Sequence, residues 1–382
     1  MNCDIYFDCA STVRPYPEVL KVFQDVSVNS FANASSNHAL GFACSSTLQR
    51  ARMQVAKYLH VLPEEVVFTS GASEGNNLAI KGVAYHNRGW AKRIITTKAE
   101  HPSVMEVFRK LEKEGFDVVY LDYDEEGKLN LKELEDALSV PTSLVSVMAV
   151  NNEVGYIFPV SEVSKIVHSH SRALLHVDAT QAIGKEMLSP DSYDLMTFSG
   201  HKIGGLKGSG ILVKKKHVLL EEQILGGEQE NGLRAGTTPL GLDCSLATAL
   251  RLSLSSEAER KSQAKKVNAY LREELSKIEE VEITSKGNCT PFILSFALRE
   301  HKGSVIAEAL SNRGIYVSTK SACSSREEGY SYVLKNAGYN EKIAYNGIRL
   351  SFSGRETLEQ AQTFMKNLRE ILLEIKVKEE EK

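Results

Sequence analysis

The sequence contains no run of ~18 apolar residues, so no stretch of it reads as a membrane span. It has no basic excess either. Lys and Arg number 46 against 49 Asp and Glu, a formal net charge of -3, which excludes a global field suited to nucleic acid. C-x-x-C pairs are absent. The six cysteines, Cys3, Cys9, Cys44, Cys244, Cys289 and Cys323, are scattered, so neither a disulfide framework nor a zinc site is indicated and no metal is expected. The opening Met1-Asn-Cys-Asp-Ile-Tyr6 lacks the basic and apolar regions of a signal peptide, which sets the expectation of a cytoplasmic chain with free thiols. Internal repeats and low-complexity linkers are also missing. What remains is a chain of 382 residues, long enough for a large core and more than one domain.

Strand and helix signals alternate through most of that length. Strands are expected at Ile5 to Asp8, Glu65 to Gly71, Ile94 to Thr97, Val118 to Asp122, Leu144 to Val150, Leu174 to Asp178 and Leu195 to Ser199. Helices are expected from Pro17, from Leu40 to Leu59, from Leu78 to about Ala84, from Pro102 to Lys113, from Leu131 to Leu138 and from Val160 to Ser169. This rhythm predicts an α/β fold with a mostly parallel, seven-stranded-type sheet covered by helices. Around Thr238 it gives way to one long amphipathic helix reaching about Ile278. Beyond lie strands at Val281 to Ile283, Phe292 to Phe296, Gly314 to Val317 and Ile348 to Ser351, with helices from Ser304 and Glu356. The expected division is a large domain of residues 14–251 and a smaller α+β domain of 252–382, with residues 1–13 packed beside it.

Several strand ends carry polar groups suited to chemistry. Leu195-Met-Thr-Phe-Ser-Gly-His-Lys202 ends an apolar run in a hydroxyl, an imidazole and an amine. A buried strand would deliver Lys202 to the carboxyl edge of the sheet, where open α/β sheets place ligands and where desolvation can make an amine nucleophilic. For any single lysine the commoner reading is a surface lysine after a strand. Ser70-Gly71-Ala72-Ser73 joins a strand to a helix, so its free N–H groups can hold an anion or simply cap the helix. Ser199 and His201 could add side-chain donors, and Arg234-Ala-Gly-Thr237 a further hydroxyl. Phosphate donors beside a reactive lysine suggest a pyridoxal phosphate Schiff base. Asp178 could then hold the pyridine nitrogen protonated, or cap a helix following it. Gln181 and Asn152 could reach the ring oxygen, Asn152 alternatively a substrate carboxylate. His101 could stack on the ring or be a satisfied structural histidine. Cys323, in the small polar stretch Ser318 to Glu327 near Arg326, could ionise and attack sulfur. Arg349, on a strand, could grip a carboxylate in a bidentate fork or form a strand-end salt bridge.

Taken together the motifs resemble the NifS/IscS-like cysteine desulfurases of the class V (fold type I) aminotransferase group. Tyr6-Phe-Asp-Cys-Ala-Ser-Thr12 is similar to that family's opening Y-x-D-N-A-A-T, and Phe68 to Asn77 to its phosphate turn. Glu100-His101, Asn151 to Gly155, His176 to Gln181, Ser199 to Lys202, Leu233 to Thr237, Ser321 to Ser324 and Gly347 to Ser351 follow in the family's order. The resemblance spans nearly the whole chain.

It implies that Lys202 bonds the cofactor, that Asp178 protonates the ring and that His101 stacks on it and aids proton transfer. Gln181 and Asn152 would contact the ring oxygen. Ala72, Ser73, Ser199 and His201 would hold phosphate, with Thr237 reaching in from a second subunit of a homodimer. Arg349, helped by Asn33, would bind the carboxylate of L-cysteine, and Cys323 would carry sulfur as a persulfide to an acceptor such as an iron-sulfur scaffold. No nucleic-acid or membrane partner is expected. Four positions depart from the family pattern: Cys9 for asparagine, Ala34 for proline, Glu228 for glycine and Asn231 for arginine. A selenocysteine lyase, a class V aminotransferase or other lyase, and a non-catalytic assembly protein on the same scaffold are the alternatives.

Overall fold

The computed structural model describes residues 4–319 and 329–380. Cys3 and Cys323 lie outside the described residues. In chain order the first elements are β1 (Ile5–Tyr6), α1 (Pro17–Asn29) and α2 (Ala39–Leu59). They are followed by β2 (Val66–Thr69), α3 (Ala72–Asn87), β3 (Arg93–Thr97), α4 (Pro102–Lys113) and β4 (Asp117–Leu121). Next come α5 (Leu131–Ala137), β5 (Thr142–Met148), α6 (Val160–His170), β6 (Leu174–Asp178), β7 (Leu195–Ser199) and β8 (Gly210–Lys214).

These strands form a seven-stranded sheet in the order β2-β8-β7-β6-β5-β3-β4. All neighbours are parallel except those of β8, which runs against both β2 and β7. Every residue of β5 and β7 is buried, as expected of strands covered on both faces. The mostly parallel sheet is therefore as expected, but β8 was not foreseen: its glycine-rich approach masks the short run Ile211-Leu-Val213. Where the α4 signals were strongest the limits agree to the residue. His101 is its N-cap, with Nδ1 accepting from Ser103 N at 3.1 Å, and Pro102 fills N1.

The expected long helix after Thr238 is two helices, α7 (Leu240–Ser255) and α8 (Glu257–Ser276). Serine hydroxyls explain the break. Ser255 Oγ donates to Arg251 O at 2.6 Å and Ser256 Oγ to Leu252 O at 2.8 Å, competing with the helical backbone bonds at the join.

The remaining elements are β9 (Val281–Ile283), β10 (Ile293–Leu298), α9 (Gly303–Ser311), β11 (Ile315–Tyr316), β12 (Ser318–Thr319), α10 (Tyr332–Asn336), α11 (Glu341–Tyr345), β13 (Gly347–Ser351) and α12 (Leu358–Glu380). The strand expected at 314–317 is the shorter β11, β12 follows just beyond it, and the short helices α10 and α11 were not anticipated. A four-stranded sheet, β12-β13-β10-β9, is antiparallel throughout. β1 pairs with β11, and Phe7 packs edge-on against Phe352 and Phe364, so the N-terminal strand belongs to this second apolar cluster. Among the described residues no helix is long and apolar enough to cross a membrane.

Candidate active site

The parallel strands all end on one edge, and that edge carries the polar groups. A cavity of about 820 Å³ opens there, within the range of small-molecule sites. His101 stands beyond β3, Asn152 beyond β5, Asp178 ends β6, and Ser199 ends β7; all four line the cavity. Ala72, Ser73, Gln181, His201, Lys202 and Arg349 line it too. Asn33 and Thr237 do not; both are exposed, Asn33 in the loop between α1 and α2 with its Oδ1 accepting from Ser35 N at 2.9 Å.

Lys202 closes a one-turn helix, Gly200–Lys202, directly after β7. Its Nζ donates to the carbonyls of Ala10 at 2.6 Å and Ser11 at 2.7 Å, so the N-terminal strand segment forms part of the wall. The adjoining His201 lies partly buried with Nδ1 3.3 Å from Thr12 Oγ1. Burial, then the charges of Lys202 and Lys207, push its pKa down to about 4. It is therefore a neutral donor or acceptor near pH 7.

The N-terminus of α3 borders the same cavity through Ala72 and Ser73. Ala72 N donates to Ser199 Oγ at 2.7 Å, locking the turn to β7. This approach requires Gly210 on β8, where a Cβ would come within 2.5 Å of Gly71 Cα. Arg234 Nε to Glu74 Oε1 at 3.0 Å, with Glu74 Oε2 accepting from Ser70 N at 3.0 Å, fixes the turn from the other side.

Asp178 is 4% exposed, and protein donors hold both of its oxygens: Asn76 Nδ2 at 2.9 Å on Oδ2 and Thr180 N at 2.9 Å on Oδ1. Asn76 Nδ2 also reaches Ser103 Oγ at 2.9 Å, and that hydroxyl lies 2.8 Å from His101 Nδ1. A polar chain thus joins His101, Ser103, Asn76 and Asp178. Sequence reasoning gave no role to Asn76 or Ser103. Glu74-Gly-Asn-Asn77 shows a polar helix start, but nothing in it separates Asn76, one helical turn past Ala72, from Asn77.

Arg349 reaches the cavity from the second sheet. Its Nη2 donates to Asp8 Oδ1 at 2.7 Å and Ser11 Oγ at 2.8 Å, and Nη1 to Asn152 O at 2.7 Å. Its Nε is buried without a hydrogen-bonding partner among the described residues, as is Thr180 Oγ1 in the cavity wall. Orphaned polar atoms beside a cavity are explained by a ligand that completes them. A helix N-terminus with hydroxyl and imidazole donors, an amine and a buried carboxylate on one rim match the phosphate, aldehyde and ring nitrogen of pyridoxal phosphate. The residues fit that group.

Residues 5–364 match the aminotransferase class-V family. A NifS/IcsS protein homolog of Lactobacillus delbrueckii subsp. bulgaricus is 39% identical over 372 residues, covering 96% of this chain and 97% of the relative. Cysteine desulfurase IscS of Escherichia coli (strain K12 / DH10B) is 38% identical over 368 residues, 94% of this chain and 90% of its own. A solved structure of a NifS-like protein superposes with a TM-score of 0.90 at 35% identity, covering 97% of this chain and 99% of that one. The chain belongs to the aminotransferase class-V family. Within it the chain groups with the NifS/IscS-like cysteine desulfurases.

Proposed function

We propose that this protein is a pyridoxal phosphate-dependent cysteine desulfurase that converts L-cysteine to L-alanine and passes the sulfur on through Cys323. The observation that carries the reading is the convergence of Lys202, Asp178 and Arg349 on one cavity from β7, β6 and the second sheet. Pyridoxal phosphate, when bound, supplies an electron sink for the carbon skeleton of the amino acid.

The chain's own residues do the rest. Ala72, Ser73, Ser199 and His201 hold the phosphate, with Thr237 contributed by a second copy. Asp178, kept in place by Asn76 and Thr180, keeps a proton on the ring nitrogen. Gln181 and Asn152 contact the ring oxygen. His101 packs on the ring, with its Nδ1 edge turned to Ser103. Arg349, assisted by Asn33, pairs with the substrate carboxylate, and Lys202 Nζ takes the proton from the substrate's Cα. Cys323 attacks the substrate's sulfur: its S–S bond forms as the substrate's C–S bond breaks. The products are L-alanine and a persulfide on Cys323, ready for an acceptor protein such as an iron-sulfur scaffold. One apolar cluster lies wholly within residues 1–13 and 252–382, which supports a smaller unit there beside a cofactor-binding unit of 14–251; the protein acts as a cytoplasmic homodimer.

The test is a mass spectrum of the Cys323 peptide after treatment with L-cysteine, where one added sulfur atom is expected. Cys323→Ala is expected to retain pyridoxal phosphate and to lose alanine formation roughly a hundredfold or more. Alanine formation at the wild-type rate in that variant would rule out the persulfide route.

A further inference from the structure

Lys185 has no part in the chemistry above, yet its setting is not that of a packing residue. It is 3% exposed and forms no ion pair with a carboxylate among the described residues. The groups that face it are Lys202, Arg260, Arg349 and the Cys9 thiol. The Cys9 thiol itself donates to a carboxylate, with Sγ 3.6 Å from Glu356 Oε1. The aromatic face of Phe292 lies 6.0 Å from Nζ. A buried amine in such company lowers stability unless something else requires it.

What it does hold is Gln181. Lys185 Nζ donates to Gln181 Oε1 at 2.9 Å, while Gln181 Nε2 donates to Ala10 O at 2.9 Å. The Ala10 carbonyl can only accept, so the amide has one orientation, with its NH₂ group toward Ala10 and its oxygen toward Lys185. The same carbonyl receives Lys202 Nζ at 2.6 Å. We propose that Lys185 is a positioning residue for Lys202: it fixes the Gln181 amide, which fixes the Ala10 carbonyl on which the Lys202 amine rests.

Near neutral pH this contact acts without charge. Burial first, then Lys202 and Arg260, brings the Lys185 pKa down to about 7, so above that pH Lys185 is a neutral donor and acts on Lys202 through Gln181. The inference rests on the cavity being a pyridoxal phosphate site only for the choice of ligand in the affinity measurement.

Lys185→Met keeps the length and removes both donor and charge. In the cofactor-free protein, the pH midpoint for acylation of Lys202, read by peptide mass, is expected to fall, because the Ala10 carbonyl that receives its ammonium is held less firmly. Affinity for pyridoxal phosphate, read by absorbance titration, is expected to fall about tenfold. The melting temperature is expected to hold or rise, because a buried amine without a carboxylate has been removed. In a Gln181→Met background the Lys185→Met change is expected to have no further effect on affinity. A lowered melting temperature with the Lys202 midpoint and the affinity unchanged would reduce Lys185 to packing and overturn the proposal; so would a variant that does not fold. Wild-type protein that fails to bind pyridoxal phosphate would instead defeat the functional reading, while the Lys202 midpoint still decides this one.

Discussion

Lys202 and Gln181 share a single acceptor, the carbonyl of Ala10, at 2.6 and 2.9 Å. Both lone pairs of that oxygen are committed, one to the reacting amine and one to an amide in the cavity wall. The N-terminal segment is thereby built into a site whose other walls belong to the large sheet.

Replacing Lys202 by Ala removes the amine but leaves the Ala10 and Ser11 carbonyls facing a polar cavity, so the fold is expected to persist. Covalent retention of pyridoxal phosphate after borohydride reduction is expected to vanish, as read by intact mass. A reduced adduct on the variant equal to that on the wild type would place the attachment elsewhere.

Arg349→Lys keeps a charge but loses the planar fork that spans Asp8, Ser11 and Asn152. The KM for L-cysteine is expected to rise roughly ten- to a hundredfold, the equivalent of losing one charged hydrogen bond. Steady-state kinetics with an unchanged KM would remove Arg349 from carboxylate binding.

Glu100 supplies a pH dependence of stability. Its side chain is fully buried, and Oε1 accepts from Met148 N and Thr97 Oγ1, both at 2.8 Å, while Oε2 has no partner among the described residues. Burial, reinforced by the charge of Asp178 and opposed by those two hydrogen bonds, raises its pKa from 4.5 to about 8. The folded chain keeps a proton that the unfolded chain releases above its ordinary pKa. This contribution is full below about pH 4.5 and is lost as pH rises to about 8. Glu100→Gln mimics the protonated form. Relative to the wild type it is expected to gain stability between pH 5 and pH 8, by on the order of 3 kcal/mol, in denaturant titrations at the two pH values. A difference that does not change with pH would show Glu100 to be ionised in the fold.

Gly210→Ala places a methyl within 2.5 Å of Gly71 Cα, against the backbone of Gly71 and with no flexible side chain to yield. A loss of about 1–3 kcal/mol is expected in chemical denaturation, together with weaker binding of pyridoxal phosphate as the Ala72–Ser199 lock opens. A tolerated methyl would mean that the turn is less tightly tied to β8.

The legible parts of this chain are those written locally. Pro102 after His101 sets the start of α4, and the apolar run before Ser199 makes β7, because caps and periodicity act within a few residues. Helix α7 was less legible, because its serines bond back to carbonyls in a way that composition does not distinguish from ordinary helical serine. The short run of β8 was missed for want of flanking pattern, and Asn76 for want of any mark separating it from Asn77.

The sequence alone determined that Lys202, Asp178 and His101 meet, since parallel strands deliver their carboxyl ends to one edge whatever the loops do. Tertiary structure alone decided that Arg349 reaches Asp8, 341 residues away, and that Lys185 backs Gln181 rather than facing water. Those contacts depend on how the second sheet and the N-terminal strand dock, which is set by apolar burial summed over both clusters and has no signature in any one segment.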